Sequence, residues 1–281
     1  MNIRIVTDSA SDLPQPWPDC VSVLPMTVSF GDRQYQDGVD LTHRQFYELL
    51  IEGDSLPTTS QIAPGQFEDA FAQAIDRGET VVCITLSSKL SGTYQSACIA
   101  AAEFPGQVFV VDSLNVTIAE ALLVRRAVEM VAQGMVAEDI ARQLEAERGQ
   151  IRIVALLDTL EYLKRGGRLS ASAALVGGLL SIKPVVTVED GEVKVIGKAR
   201  GSKNGNNLLM EESQKDGGVD FARPHSLGYT GLSDELLRKY MEDSRPLWEQ
   251  YVPSLPVCTI GGTIGTHVGP GAIAVAFFKK G

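Results

Sequence analysis

Short apolar runs alternate with segments whose apolar residues recur every three or four positions, and this alternation runs through the first half of the chain. Residues 3–6 and 21–30 read as extended. Thr42 and Gln45 have the spacing of a capping box, and Phe46, Leu49 and Leu50 then share one helical face. Pro64 stands where a helix accepts its first residue, Phe67, Phe71 and Ala74 follow on one side, and Gly78 ends the run. Residues 81–86 are almost wholly apolar, the pattern of a strand buried on both faces of a parallel sheet. A helix over 94–102, a strand over 108–111, helices over 119–132 and 137–147 and a strand over 151–157 continue the series. Strands alternating with helices predict a parallel sheet.

The second half has a different rhythm. Residues 185–188 and 193–196 are β-branched runs flanking Asp190-Gly191, a strong signal for a two-residue hairpin. Residues 257–260 and 272–278 read as further strands, with a glycine-rich loop around His267 between them. The fold class predicted is α/β in two domains. Residues 1–160 form a three-layer α/β domain with a mainly parallel sheet, and residues 161–281 an α/β domain with a mixed or antiparallel one. The change falls at about 158–170.

Composition narrows the choice of function. The chain has 281 residues, 44% hydrophobic and 21% charged, which is an ordinary globular balance. A net charge of −10 argues against a non-specific nucleic-acid binder and against a membrane surface. The start of the chain, with Arg4 and Asp8, does not read as a signal peptide, and no apolar run approaches the ~20 residues of a membrane span. The four scattered cysteines, Cys20, Cys83, Cys98 and Cys258, read as buried free thiols. A soluble cytoplasmic protein without stable membrane insertion is expected.

Candidate chemistry collects at strand ends. The runs ending at 6, 86 and 111 lead into Asp8-Ser9, Ser87-Ser88 and Asp112-Ser113, and ligands of open α/β sheets bind beyond such carboxyl ends. Helix capping explains each residue singly; the three ends together favour a site. Ser91, Gly92 and Thr93 open a helix after a buried strand, where unpaired N–H groups and hydroxyls suit an anion and Gly92 allows close approach. Thr58, Thr59 and Ser60 are a second hydroxyl cluster. Neutral donors of this kind suit a single carboxylate better than a triphosphate. His267 is balanced between a structural and a ligand-binding role, whereas His43 and His225 read as surface residues. Residues 191–198 miss the P-loop spacing, and no nucleophile elbow or metal-ligand spacing occurs. A catalytic site, a cofactor and a metal are not expected. Two alternatives stay open: a serine hydrolase using Ser91 or Ser9, and a binder of phosphorylated metabolites.

Motifs from residue 3 to about 275 resemble the DegV family of fatty-acid-binding proteins. They are Ile5-Val6-Thr7-Asp8-Ser9, the segment Tyr35 to Asp40, Thr59-Ser60-Gln61, Leu90 to Ala97, Leu160 to Ser170, Ile182-Lys183-Pro184, Gly197 to Arg200 and His267 to Ala272. The resemblance implies one long-chain fatty acid, such as palmitate, in a buried slot, its carboxylate clamped between the domains by Thr59, Ser91 and His267. It implies a carrier without catalysis, serving lipid transport or fatty acid metabolism. Some members pass the acid to a fatty acid kinase subunit, and Arg168 and Arg200 fall in segments that resemble the head-group and partner surface. Residues 175–180 are expected to line the slot or to be ordinary core. Two stretches depart from the family pattern. Residues 115–121 carry side chains where glycines are usual, which is expected to reshape the neighbouring space. Residues 201–207 lack the usual basic and hydroxyl run.

Overall fold

A computed structural model describes residues 2–53, 55–169 and 182–281. The chain begins with β1 (Asn2–Asp8), a 3-10 turn at Ser9–Ser11, β2 (Val21–Leu24), β3 (Thr27–Phe30), β4 (Arg33–Gln36), α1 (His43–Glu52) and β5 (Thr58–Ser60). It continues with α2 (Pro64–Asp76), β6 (Glu79–Thr85), α3 (Thr93–Ala101), β7 (Val108–Asp112), α4 (Ile118–Ala132) and α5 (Ala137–Glu147). The remainder supplies β8 (Ile151–Leu156), α6 (Glu161–Arg165), β9 (Ile182–Glu189), β10 (Glu192–Arg200), α7 (Gly201–Gln214), β11 (His225–Tyr229) and α8 (Glu235–Asp243). Last come α9 (Arg245–Trp248), β12 (Val257–Thr259), α10 (Gly262–Val268) and β13 (Ile273–Phe278).

Local signals set many boundaries. Thr42 caps α1 reciprocally: its Oγ1 accepts from the Gln45 amide at 3.3 Å, and its own amide donates to Gln45 Oε1 at 3.0 Å. Pro64 is the first residue of α2, and Phe67, Phe71 and Ala74 are fully buried beneath it. Asp190 and Gly191, at φ +52° and +82°, make the two-residue turn between β9 and β10 in the conformation such hairpins need.

Two sheets divide the molecule. The first is wholly parallel, in the order β2-β1-β6-β7. Helices α2 and α3 pack on β6 and β7, α4 and α5 also pack on this sheet, and every residue from 81 to 85 is buried. The second is mixed, in the order β10-β9-β8-β13-β11-β12, with only β11 and β12 parallel. Here the two-residue period of the strands separates two cores. Val154, Leu156, Ile273, Val275 and Phe277 pack beside α7 and α8 residues Leu209, Leu237 and Tyr240. Their neighbours Ile153, Ala274, Ala276 and Phe278 join the core of the first sheet and α4. A third, three-stranded sheet, β4-β3-β5, shares Val28, Leu41, Phe46, Tyr47 and Leu50 with α1.

Three expectations change. The strand at 151–157, read as continuing the first sheet, pairs antiparallel with β9 and β13 in the second. The extended stretch 21–30 is two strands of different sheets, separated at Pro25-Met26. The glycine-rich segment around His267, read as a loop, is helical up to Val268 as the end of α10, and 269–271 form the turn that follows. All four cysteines are free, Cys83 and Cys258 buried and Cys20 and Cys98 half-buried. No described helix is long and apolar enough to cross a membrane.

Helix α10 begins on carboxylates from the other end of the chain. Asp37 accepts from the amides of Gly262 and Thr263, both at 2.9 Å, and Asp12 accepts from that of Gly261 at 2.7 Å. A helix N-terminus carries unpaired donors and partial positive charge, and both are met here by distant residues. Burial nevertheless pushes both carboxyls above their ordinary range. Asp37→Ala, which strips two buried amides of their acceptor, is expected to cost about 1–2 kcal/mol in urea denaturation. Asp37→Asn, which keeps one acceptor oxygen, is expected to cost less.

Candidate functional site

The polar walls of a cavity of about 370 Å³ come from the end of β5, the residues leading into α3, the residues after α6 and the last turn of α10. They bring Thr59, Ser91, Gly92, Arg168 and His267 to its walls, although these residues span most of the chain. Thr59 Oγ1 lies 2.9 Å from His267 Nε2. Ser91 Oγ pairs with Thr93 Oγ1 at 2.9 Å and accepts from the Thr93 amide at 3.3 Å, so it is held just before the first turn of α3. Arg168 donates to the Leu90 carbonyl at 3.0 Å and to the Gly166 carbonyl at 2.6 Å, which anchors its guanidinium at the rim.

The His267 ring lies against the backbone of Gly166. A Cβ on that glycine would come within 2.2 Å of Nδ1, so no other residue lets the ring keep its position. Nδ1 is buried and has no partner among the described residues. Desolvation, with a smaller contribution from Arg168, pushes His267 down to about 4, so the imidazole is neutral at pH 7. The walls thus present hydroxyls, a neutral imidazole and a guanidinium, a set that can receive one anionic head group without several fixed cations. Gly92, in the cavity wall, also leaves room for a neighbouring side chain. A Cβ there would meet Gln61 Oε1 at 2.1 Å, so the space it leaves is filled by the Gln61 amide, which donates to Ser96 Oγ at 3.0 Å.

Beneath the polar walls lies a narrower, almost wholly apolar space of about 60 Å³. Its floor is one face of the second sheet, where Ala155, Ala272 and Ala274 leave room that larger side chains would fill. Among the described residues its hydroxyls are those of Thr117 and Thr187, already spent on Asp12 Oδ2 and the Ile153 carbonyl. The two spaces adjoin, sharing Val116, Leu163, Val193, Ile264 and Val268 as a common wall.

Other candidates lie elsewhere. Asp8 is fully buried and accepts from the Ala10 and Leu86 amides, at 3.0 and 2.9 Å; Asp112 accepts from the Ser88 and Leu114 amides, at 3.1 and 3.0 Å. The strand-end acids therefore tie loops together, and capping explains them. Ser9 Oγ accepts from the Met26 amide at 3.0 Å and points towards Asp37. Arg200 is exposed at the end of β10 and does not line the cavity. His43 is not a simple surface residue: its ring nitrogens lie 3.0 and 2.9 Å from the carbonyls of Ile260 and Gly231. The stretch 175–180, expected at the slot, lies outside the described residues. Sequence reasoning missed Gly166, Gln61 and the sheet face beneath the cavity. Gln61 and Gly166 stood inside quoted motifs, whereas nothing local marks alanines on one face of a strand as the floor of a slot.

A family model described as "Uncharacterised protein, DegV family" matches residues 2–280. A DegV domain-containing protein of Caldanaerobacter subterraneus subsp. tengcongensis is 38% identical over 288 residues, covering 99% of both chains. A solved DegV family protein from Thermus thermophilus, described by its fatty acid binding, superposes with a TM-score of 0.88 at 32% identity, covering 99% of this chain and 100% of its own. A stearic acid-binding protein from Eubacterium ventriosum superposes with a TM-score of 0.86 at 29% identity, covering 99% of this chain and 98% of its own. With one family model spanning almost every residue and relatives aligned from end to end, the chain belongs to the DegV family.

Proposed function

We propose that this protein binds one long-chain fatty acid, with its carboxylate among Thr59, Ser91 and His267 and its acyl chain in the apolar slot, and that it acts as a carrier rather than an enzyme. The observation that carries this reading is the adjacency of the two spaces: a polar cavity and an apolar one lie on either side of five shared apolar side chains. The fatty-acid binding described for the Thermus thermophilus and Eubacterium ventriosum proteins supports it. A buried methylene contributes ~0.8 kcal/mol, so an acyl chain of about sixteen carbons gains on the order of 10 kcal/mol before ordering costs. A carboxylate buried beside it without donors would forfeit much of that gain, which accounts for hydroxyls gathered at the polar end. Ser60, which is exposed, lines the same cavity, so the carboxylate end faces outward. That arrangement suits presentation of the head group to a fatty acid kinase subunit, with exposed Arg200 on the surface offered to it. A role in fatty acid metabolism inside the cytoplasm follows from the same reading.

The hydrolase alternative is disfavoured by geometry. His267 pairs with Thr59 rather than with Ser91, and its other nitrogen meets no carboxylate among the described residues. Asp8, the acid that could have completed a triad, is occupied by two amides. A phosphorylated metabolite fits poorly against a slot whose remaining walls are apolar.

Two outcomes are expected. A hydrogen bond to a charged group is worth ~1.5–3 kcal/mol, so Ser91→Ala should weaken binding of a fluorescent fatty acid roughly tenfold to a hundredfold. Unchanged affinity, together with an esterase activity abolished by the same substitution, would reverse the assignment. In the ligand-free protein the His267 ring should titrate near 4, because burial disfavours its charged form. Its folded-state pKa lies below the unfolded value of 6.5, so the folded chain binds fewer protons and this group's contribution to stability falls as pH drops from about 6.5 towards 4. A bound carboxylate favours the imidazolium, and imidazole NMR titration should show the midpoint rise on adding palmitate.

A further inference from the structure

Another cavity, of about 320 Å³, lies on the face of the second sheet turned away from the slot. The two-residue period of β13 keeps the two spaces apart: Val275 and Phe277 line this cavity, whereas Ala274, next to Val275, lines the slot. Its other walls are the end of α7, the segment before β11, and the stretch from Tyr240 on α8 through α9 to Leu255. It shares no residue with the cavity of Thr59, Ser91 and His267.

The lining is aromatic and held in place. The Phe221 and Tyr251 rings stack at 11° with centroids 5.1 Å apart, and His225 stands edge-on to Phe221 at 5.3 Å. Trp248 Nε1 donates to the Met241 carbonyl at 3.3 Å, which fixes the indole. Phe277 and Tyr240 are buried at the floor. The polar groups among these rings offer acceptors. His225 Nδ1 lies 3.0 Å from the Arg223 carbonyl, which can only accept, so in the neutral ring Nδ1 carries the proton and Nε2 keeps its lone pair. Ser213 and Ser244 give their protons to the Leu209 and Met241 carbonyls, at 2.8 and 3.4 Å, and keep their oxygen lone pairs.

The charge of the cavity runs against that of the chain. With a net charge of −10 overall, the chain places no Asp or Glu on these walls among the described residues, and one lysine, Lys280. Its ammonium lies 5.1 Å from the Tyr251 ring centroid. Its backbone is fixed as well. The Lys280 amide donates to the Gly218 carbonyl at 3.1 Å, and Gly217, at φ +90°, comes so near the Lys280 carbonyl that a Cβ would meet it at 2.9 Å. Lys280 and Tyr251 are both exposed, so they form the mouth.

We propose that this cavity is a ligand site, separate from that of the fatty acid, for a planar aromatic acid. The fixed rings pack its ring system, the acceptors of His225, Ser213 and Ser244 receive a ring hydroxyl or N–H, and Lys280 holds its carboxylate. A rigid planar ring buries much apolar area at little ordering cost. One lysine balances one carboxylate, whereas the phosphates of a nucleotide would bring more charge than the walls can meet. The inference does not depend on the fatty-acid reading.

The test is calorimetric titration of the full-length protein with p-coumarate, which has a planar ring, a hydroxyl and one carboxylate, and with p-vinylphenol, which lacks the carboxylate. The protein should bind p-coumarate at a single site, with the same affinity whether or not palmitate has been added in excess. Lys280→Ala should weaken p-coumarate about fivefold and leave p-vinylphenol unchanged, and Lys280→Arg should restore the wild-type affinity. Tyr251→Ala, which removes one ring of the stack, should weaken both ligands up to about tenfold. Both side chains are exposed, a thermal melt checks that the variants fold, and palmitate binding should be the same in all of them. An absence of saturable p-coumarate binding overturns the inference. So does an affinity unchanged in both Lys280→Ala and Tyr251→Ala, and so does displacement of p-coumarate by palmitate, which would put the probe in the slot. Each of these outcomes leaves the carrier reading standing, and a failure of palmitate to bind leaves this one standing.

Discussion

The arrangement depends on two carboxylates placed against the start of one short helix. Asp12 and Asp37 come from the first forty residues, and α10 comes from the last twenty. A helix of seven residues is too short to be stable by itself, and this one is rich in glycine. Its N-terminal donors are satisfied by acids more than 220 positions away. Once it is held, its last turn carries His267 to Thr59, and Ile264 and Val268 face the slot. The cost is electrostatic. Asp8, Asp37 and Glu120 are buried and Asp12 is half-buried, desolvation raises each of them, and Asp8 is pushed up to about 7. Amides and hydroxyls offset that cost at Asp8, Asp12 and Asp37, so the acids work as acceptors for backbone groups rather than as reagents.

Much of the fold was legible because many elements state themselves locally. The capping box at Thr42, the proline that opens α2 and the Asp190-Gly191 turn each carry their reason within a few residues. The polar end of the site was legible for another cause. Thr59, Ser91 and His267 stand in motifs that a family resemblance could place, and the cavity does gather them. Local physics gave hydroxyls near a helix start but could not say that residues 59 and 267 would meet.

The misreadings share a physical origin, since each concerns something that distant residues decide. An apolar strand such as Ile151–Leu156 does not encode which sheet will accept it. The glycines and asparagines of α7 are weak helix formers, yet Gly205 sits so close to Leu156 that a Cβ would meet its methyl at 2.6 Å, and Leu209 is fully buried. Packing decides that helix, and propensity does not. The slot was invisible for the same reason. It is the space left where small residues on one face of β8 and β13 meet α10 and the segment before α4.

Strand β13 sits in the interior of the second sheet, between β8 and β11, although it is the last strand in the sequence. During synthesis from the N-terminus, β8 and β11 emerge long before the segment that joins them. Until it arrives, both present unpaired edges, and the floor of the slot lacks Ala272 and Ala274. A growing chain can therefore complete its first sheet early, but the apolar space over β8 and β13 closes only once residues 272–274 have been made. A chain that stalls short of residue 272 leaves the facing edges of β8 and β11 exposed as a template for mispairing.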